Sequence, residues 1–232
     1  MCGRFYLKLL GPAVEEMLGL DETPDVHPRF NIAPTQQALV ARTDESGRRV
    51  AASLRWGLVP FWADDESIGN KLINARSETA ATKPAFRAAF KHRRCVIPAS
   101  GFYEWKVSEI DKKHKQPMAV HLPDDAGFAM AGLWETWTSE QDGELETFTI
   151  LTREAAPEIR QIHDRMPAIL SPGAIDDWLD PSNEDGVALT EILQRPCAEL
   201  DAYAVSKRVN TPRNDDPSLI EPVDEEPGTL FG

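Results

Sequence analysis

Cysteine is scarce in this sequence: three in 232 residues, at Cys2, Cys95 and Cys197. An odd number so widely spaced argues against a disulfide framework. No Cys/His pair stands at zinc-ligand spacing, which argues against structural zinc. Long hydrophobic runs are missing as well. No stretch approaches the roughly 20 apolar residues that span a bilayer, and the amino terminus carries no secretory pattern. A soluble, cytoplasmic protein with no membrane partner is expected. Internal repeats and low-complexity linkers are absent. Positive charge is in short supply: 25 Lys and Arg against 38 Asp and Glu give a net charge of −13, which disfavours a polyanionic partner in bulk. The base that exists is clustered, however, chiefly in "KPAFRAAFKHRR" (Lys83, Arg87, Lys91, Arg93, Arg94). Exposed charges are screened beyond about 8 Å at physiological salt, so a local basic groove can outweigh a distant acidic face. The same run also reads as a solvated helix face.

The hydrophobic share, 41%, is that of a globular protein and is long enough in total to build a core. One domain over residues 1–232 is expected, with an acidic C-terminal extension from about residue 214. Strand-like runs bounded by Pro, Gly or Asp dominate, among them "RFYLKLL", "RRVAASLRWGLVP", "RCVIPASGFYEW", "GFAMAGLWETW" and "ETFTILT". Helical periodicity appears in "GPAVEEMLGL", "KPAFRAAFKHRR", "APEIRQIHD", "PGAIDDWL" and "GVALTEILQ". Ser171-Pro172 reads as a cap followed by proline at the first helical position. Strands and helices do not alternate regularly, which disfavours a doubly wound parallel sheet. The pattern predicts an α+β domain on a curved, mainly antiparallel, barrel-like sheet with flanking helices.

The chain opens "MCGRF". If Met1 is removed, Cys2 carries a free α-amine and a thiol on neighbouring carbons. An α-amine with a reference pKa of about 8 is already partly neutral at pH 7 and nucleophilic. It adds to an aldehyde and loses water to give an imine. The adjacent thiol then closes a five-membered thiazolidine, an intramolecular step favoured by a large effective molarity. Cys2 thus reads as an aldehyde trap.

Four other segments carry more specific polar residues than folding requires: "RFNIAPTQ" (Arg29 to Gln36), "LRWGLVPFW" leading to "INARSET", "CVIPASGFYEW" and "IHDRMPAIL". They offer Glu104 and His163 as proton donors and acceptors, and Asn74 as donor and acceptor for the amine. Each also has a plain structural explanation. Asn31 and Asn74 suit turns and caps, Trp56 and Trp62 suit packing, Glu104 suits an arginine partner, and a lone His is usually structural. His27, His92, His114 and His121 take that plain reading.

In these segments, and in "AGLWETW" and "VNTPRNDDPSLIEP", the sequence closely resembles the SRAP family, the SOS-response-associated peptidases or abasic-site processing proteins. The segments are long, unusual and in the family's order, and they cover most of the chain. The resemblance implies a single SRAP domain, self-removal of Met1, and covalent capture of ring-opened abasic sites in single-stranded DNA without a cofactor. It implies Cys2 as nucleophile and crosslinked residue, Asn74 positioning its amine, and Glu104 as acid/base. It implies His163 on the deoxyribose ring oxygen and Arg4, Arg76 and Arg165 on flanking phosphates, with Trp56 or Trp62 near the DNA. The implied protein is a monomer that meets replication-fork proteins and associates with the nucleoid when acting on DNA. One position departs from the pattern: Asp216 stands where the family more often has glycine.

Two other classes fit parts of the sequence. Glutamine amidotransferases also begin Met-Cys-Gly and attack a side-chain amide with that cysteine, and ammonia release from glutamine identifies them. A non-catalytic single-strand binding module binds intact and abasic strands alike and forms no stable adduct.

Overall fold

The chain's architecture turns on one long strand that accepts neighbours along both edges. In the computed structural model, which describes residues 2–108, 114–139, 143–196 and 199–225, the elements run as follows. β1 (Phe5–Leu7), α1 (Gly11–Leu18), β2 (Arg29–Ile32), β3 (Gln37–Thr43) and β4 (Arg49–Trp56) lead to β5 (Asn74–Arg76), α2 (Ser77–Ala80) and α3 (Arg87–His92). β6 (Arg94–Ala99), β7 (Gly101–Val107), β8 (Lys115–His121), β9 (Phe128–Ser139) and β10 (Gly143–Glu154) follow. The chain then forms β11 (Arg165–Pro167), β12 (Ile169–Leu170), α4 (Pro172–Leu179), α5 (Gly186–Gln194) and β13 (Asp201–Ala204). Met1 and Cys197 lie outside the described residues, as do residues 226–232.

One edge of β10 pairs with β9 and then β11; the other pairs with β4 and then β5. β4 pairs β3, β3 pairs β6, and β6 pairs β9, so β10, β4, β3, β6 and β9 close into a five-stranded ring. Closure leaves these strands no open edge. The apolar run at β6 is buried at all six positions, as its composition requires. A second sheet, ordered β13-β8-β7-β1-β2 and antiparallel throughout, packs beside the ring. Among the described residues the only parallel pairings are those of β10 with β4 and β5. The mainly antiparallel α+β reading therefore holds.

Ser100 alone separates β6, in the ring, from β7, in the second sheet. Its amide donates to Tyr6 O, and its hydroxyl accepts from the Lys8 amide. Gly101 is required at this corner, because a Cβ there would meet the Tyr6 hydroxyl at 2.3 Å.

α1, α4 and α5 form where the periodicity places them, and Gly19 closes α1 in the left-handed region. Two readings are corrected. "APEIRQIHD" forms hydrogen-bonded turns, because β10 and β11 pair at Glu154 and Arg165 and the ten residues between must reverse direction. "KPAFRAAFKHRR" is helical only over Arg87–His92; Lys83 and Arg87 are exposed, and its other basic residues are taken up by partners. Lys91 and His92 face Glu184, Arg93 pairs with Glu135, and buried Arg94 donates to the carbonyls of Phe90, Lys91, Trp178 and Asp180.

The acidic C-terminal stretch is held as far as Glu225. Tyr203 donates to Ile220 O, Val223 N to Ala204 O, and Lys106 pairs with Glu225. Asp216 has an extended φ of −140°, so its position does not require glycine; its carboxylate caps Ser218 N and binds Arg208.

Candidate active site

Cys2 precedes β1, and β1 pairs with β7 through Phe5 and Phe102. Tyr103 N donates to Arg4 O, which carries the pairing toward the amino terminus and sets Cys2 beside Glu104. Cys2 is fully buried and Glu104 is 3% exposed. Burial first, and the Glu104 charge second, push the Cys2 thiol well above its ordinary range. The Cys2 carbonyl accepts a 2.7 Å hydrogen bond from Asn74 Nδ2. Asn74 Oδ1 is buried and has no hydrogen-bond partner among the described residues, leaving an acceptor beside the amino terminus.

Asn74 is held there from behind. It heads β5 opposite Ile150 of β10, and the preceding carbonyl, Ile73 O, accepts from both Ile150 N and the Trp56 indole. Trp56 is fully buried, edge-on to Phe5 at 5.3 Å and stacked with Phe148 at 6.2 Å. It therefore cannot serve as a surface for a DNA base, and that expectation is corrected: Trp56 is the wall that fixes Ile73 and Asn74. Trp62 is 49% exposed beside exposed Phe61. Trp137 donates to Ala63 O, which anchors this aromatic loop.

His163 lies two residues before β11. At Thr152, β10 lies between Arg76 of β5 and Pro167 of β11, so the segments carrying Asn74 and His163 flank one strand. His163 Nδ1 accepts from Arg165 N at 3.0 Å, which leaves the ring proton of neutral histidine on Nε2. Asp164 Oδ1 lies 2.8 Å from the same Nδ1.

The three arginines differ. The Arg76 side chain is exposed and makes no hydrogen bond or close ion pair among the described residues, though its charge helps lower the Glu78 carboxyl. Arg4 is half-buried: Nη1 donates to Asn31 Oδ1 and Val209 O, its guanidinium lies 6.0 Å from the Trp105 ring centroid, and burial lowers its pKa. Arg165 is buried, with Nη1 and Nη2 on the Glu78 carboxylate and Nη2 also on Thr152 O. In this conformation Arg165 is an internal brace, not an open phosphate ligand. Glu78 and the deep hydrogen-bonding role of Asn31 went unread in the sequence. Asn31 lay within a segment already marked by its shape, whereas nothing in local spacing links Glu78 to Arg165. No group of three or more His, Cys, Asp or Glu placed to hold a metal occurs among the described residues.

The model of the SOS response associated peptidase (SRAP) family matches residues 1–212. The chain belongs to this family. Its SRAP relatives include the abasic site processing protein YoqW of Bacillus subtilis, 44% identical over 225 residues, covering 95% of this chain and 99% of that one. The abasic site processing protein YedK of Escherichia coli is 35% identical, covering 96% and 100%. The abasic site processing protein HMCES of Gallus gallus is 34% identical, covering 80% of this chain and 61% of its own. A crystal structure from Bordetella bronchiseptica matches with a TM-score of 0.74 at 27% identity, covering 88% and 100%. One from Bacteroides thetaiotaomicron matches with a TM-score of 0.83 at 24% identity, covering 96% and 100%.

Proposed function

We propose that this protein processes abasic sites in single-stranded DNA by forming a thiazolidine between Cys2 and the open-chain deoxyribose aldehyde. Hydrolysis of the Met1–Cys2 peptide bond first consumes one water and releases methionine, leaving the Cys2 α-amine. The amine nitrogen adds to the sugar C1′, and the carbinolamine loses its hydroxyl as water to give the imine. The Cys2 sulfur then bonds to the same carbon, and the thiol proton ends on nitrogen, so aldehyde, amine and thiol become thiazolidine plus one water.

Asn74 Nδ2 fixes the Cys2 carbonyl, and Oδ1 orients the amine by accepting one of its hydrogens. Glu104 donates a proton to the departing hydroxyl and takes one from the adding thiol. His163 donates from Nε2 to the sugar ring oxygen and favours the open aldehyde. Exposed Arg76 takes a flanking phosphate and Trp62 stacks on a neighbouring base. A single strand presents the sugar without the unstacking that a duplex demands. The observation that carries this reading is the hydrogen bond of the Asn74 amide to the carbonyl of buried Cys2, on whose thiol the charge of buried Glu104 acts. The names of the 34–44% identical relatives support the substrate.

Mature protein is incubated with an abasic single-stranded oligonucleotide and run on a denaturing gel. A heat-resistant DNA–protein band is expected, and Cys2→Ala should abolish it. A Cys2→Ala protein that crosslinks as fast as wild type overturns the assignment. Mass spectrometry of the purified protein checks the loss of Met1.

A further inference from the structure

Resting on that reading, we propose that Asn31 is a positioning residue for the N-terminal nucleophile, acting through a clasp that loop 209–215 closes on Arg4. A reactive group at a chain end faces a general difficulty, because termini fray unless they are tied down. Cys2 stands three residues before β1 begins, and among the described residues its carbonyl is held by Asn74. The next anchor along the chain is Arg4.

Asn31 is fully buried, and both ends of its amide are used. Oδ1 accepts from Arg4 Nη1 at 2.8 Å. Nδ2 is directed at the carbonyls of Val209, Thr211 and Asn214 at 3.2, 3.1 and 2.7 Å. Arg4 Nη1 itself reaches Val209 O at 2.7 Å, so one arginine and one asparagine share a carbonyl some 200 residues away in sequence. The loop is fastened to β2 independently: the Asp215 carboxylate accepts from Phe30 N and Asn31 N and pairs with Arg29. Asn210 Oδ1 accepts from the Trp105 indole, over which the Arg4 guanidinium lies. A buried amide with one acceptor and three carbonyls to serve fits only Asn in size and chemistry, because Asp would set an oxygen against three oxygens. The clasp fixes the Arg4 side chain, hence the strand entry, hence where the Cys2 amine meets Asn74 and Glu104.

The test compares wild type, Asn31→Ala and the milder Asp215→Ala, all mature, in three measurements. At saturating abasic oligonucleotide, the crosslinking rate should fall at least tenfold for Asn31→Ala and about threefold for Asp215→Ala, with the half-saturating strand concentration within twofold of wild type. With glycolaldehyde, which has no phosphate, thiazolidine formation should slow by a similar factor, because the displaced amine is the one that meets Asn74 and Glu104; an unchanged glycolaldehyde rate overturns the clasp. Amide exchange at Phe5 and Tyr6 should speed up at least tenfold. Folded variants with wild-type crosslinking and exchange overturn the clasp. So does a raised half-saturating concentration with an intact rate, which would make Arg4 a phosphate ligand only. If Asn31→Ala does not fold, Asp215→Ala decides. The exchange measurement needs no DNA, so a wild type that makes no adduct sinks the proposed function while the anchoring is still decided.

Discussion

Both terminal nitrogens of Arg165 donate to the Glu78 carboxylate, at 2.7 and 2.9 Å, and Arg165 N donates to the His163 ring two residues earlier. The pair ties α2, directly after the strand of Asn74, to β11, which His163 precedes by two residues. Truncating one partner of a buried pair leaves an uncompensated charge. Glu78→Ala is expected to destabilise by about 2 kcal/mol, less than the roughly 3–5 of a fully enclosed pair, because the Glu78 side chain is 41% exposed. Adding Arg165→Met should recover part of the loss in urea unfolding, and an additive double mutant would contradict the pairing.

The same pair predicts a pH dependence. Burial raises the Glu78 carboxyl, but the hydrogen bonds and charge of Arg165 outweigh it and hold the group below its ordinary 4.5. A lowered folded value means that the stabilisation is complete above 4.5 and disappears as pH falls through the depressed value. Unfolding curves from pH 6 to pH 3 should converge for wild type and Glu78→Ala on the acid side.

Trp56 is expected to matter to chemistry without touching DNA. Trp56→Ala should cost about 3–5 kcal/mol of stability. Trp56→Phe should keep most of the packing but lose the bond to Ile73 O, slowing crosslinking while strand affinity stays level. Trp62→Ala should do the reverse: crosslinking at saturation unchanged, strand affinity weakened by about 1–3 kcal/mol if one base stacks there. Fluorescence anisotropy with intact and abasic strands separates the two.

Asn74→Asp replaces the amide donor with an oxygen facing the Cys2 carbonyl at 2.7 Å. The crosslinking rate should drop more than tenfold, with a stability loss of about 1–3 kcal/mol, the usual result of leaving a buried polar group unpaired. Equal rates for Asn74→Asp and wild type would remove Asn74 from the amine.

Cys2 should be protonated and poorly reactive across the neutral range. Burial and Glu104 raise its folded value above the ordinary 9.0, so the folded state is favoured while the thiol keeps its proton and loses that advantage as pH climbs past 9.0. Iodoacetamide labelling of Cys2 in folded protein, read on its own peptide by mass spectrometry, should therefore show no rise between pH 7 and pH 9, and should reach the pace of free cysteine only after unfolding.

Much of this site was legible because its residues sit in short stretches whose polarity folding does not explain. Glu104 between apolar neighbours and Asn74 beside a strand run were visible for that reason, and the structure brings both to Cys2. Trp56 misled because an indole's depth is decided by which sheet closes over it, here β1 and β10, and local pattern carries no such information. Arg165 misled for the same reason: its partner lies 87 positions away. The basic run was legible only in part, since Arg93 and Arg94 meet Glu135 and the end of α4 only once the ring is closed. The ring itself depends on β10 taking parallel partners on one edge, a pairing that alternation along a strand does not encode.

The single-residue corner at Ser100 has a mechanical implication. Two layers joined so tightly, with Tyr6 seated on Gly101, have no slack to swing apart and shut over a guest. Under the proposed function, opening at this corner does not help to seat a damaged nucleotide, and that adjustment falls on the nucleic acid strand.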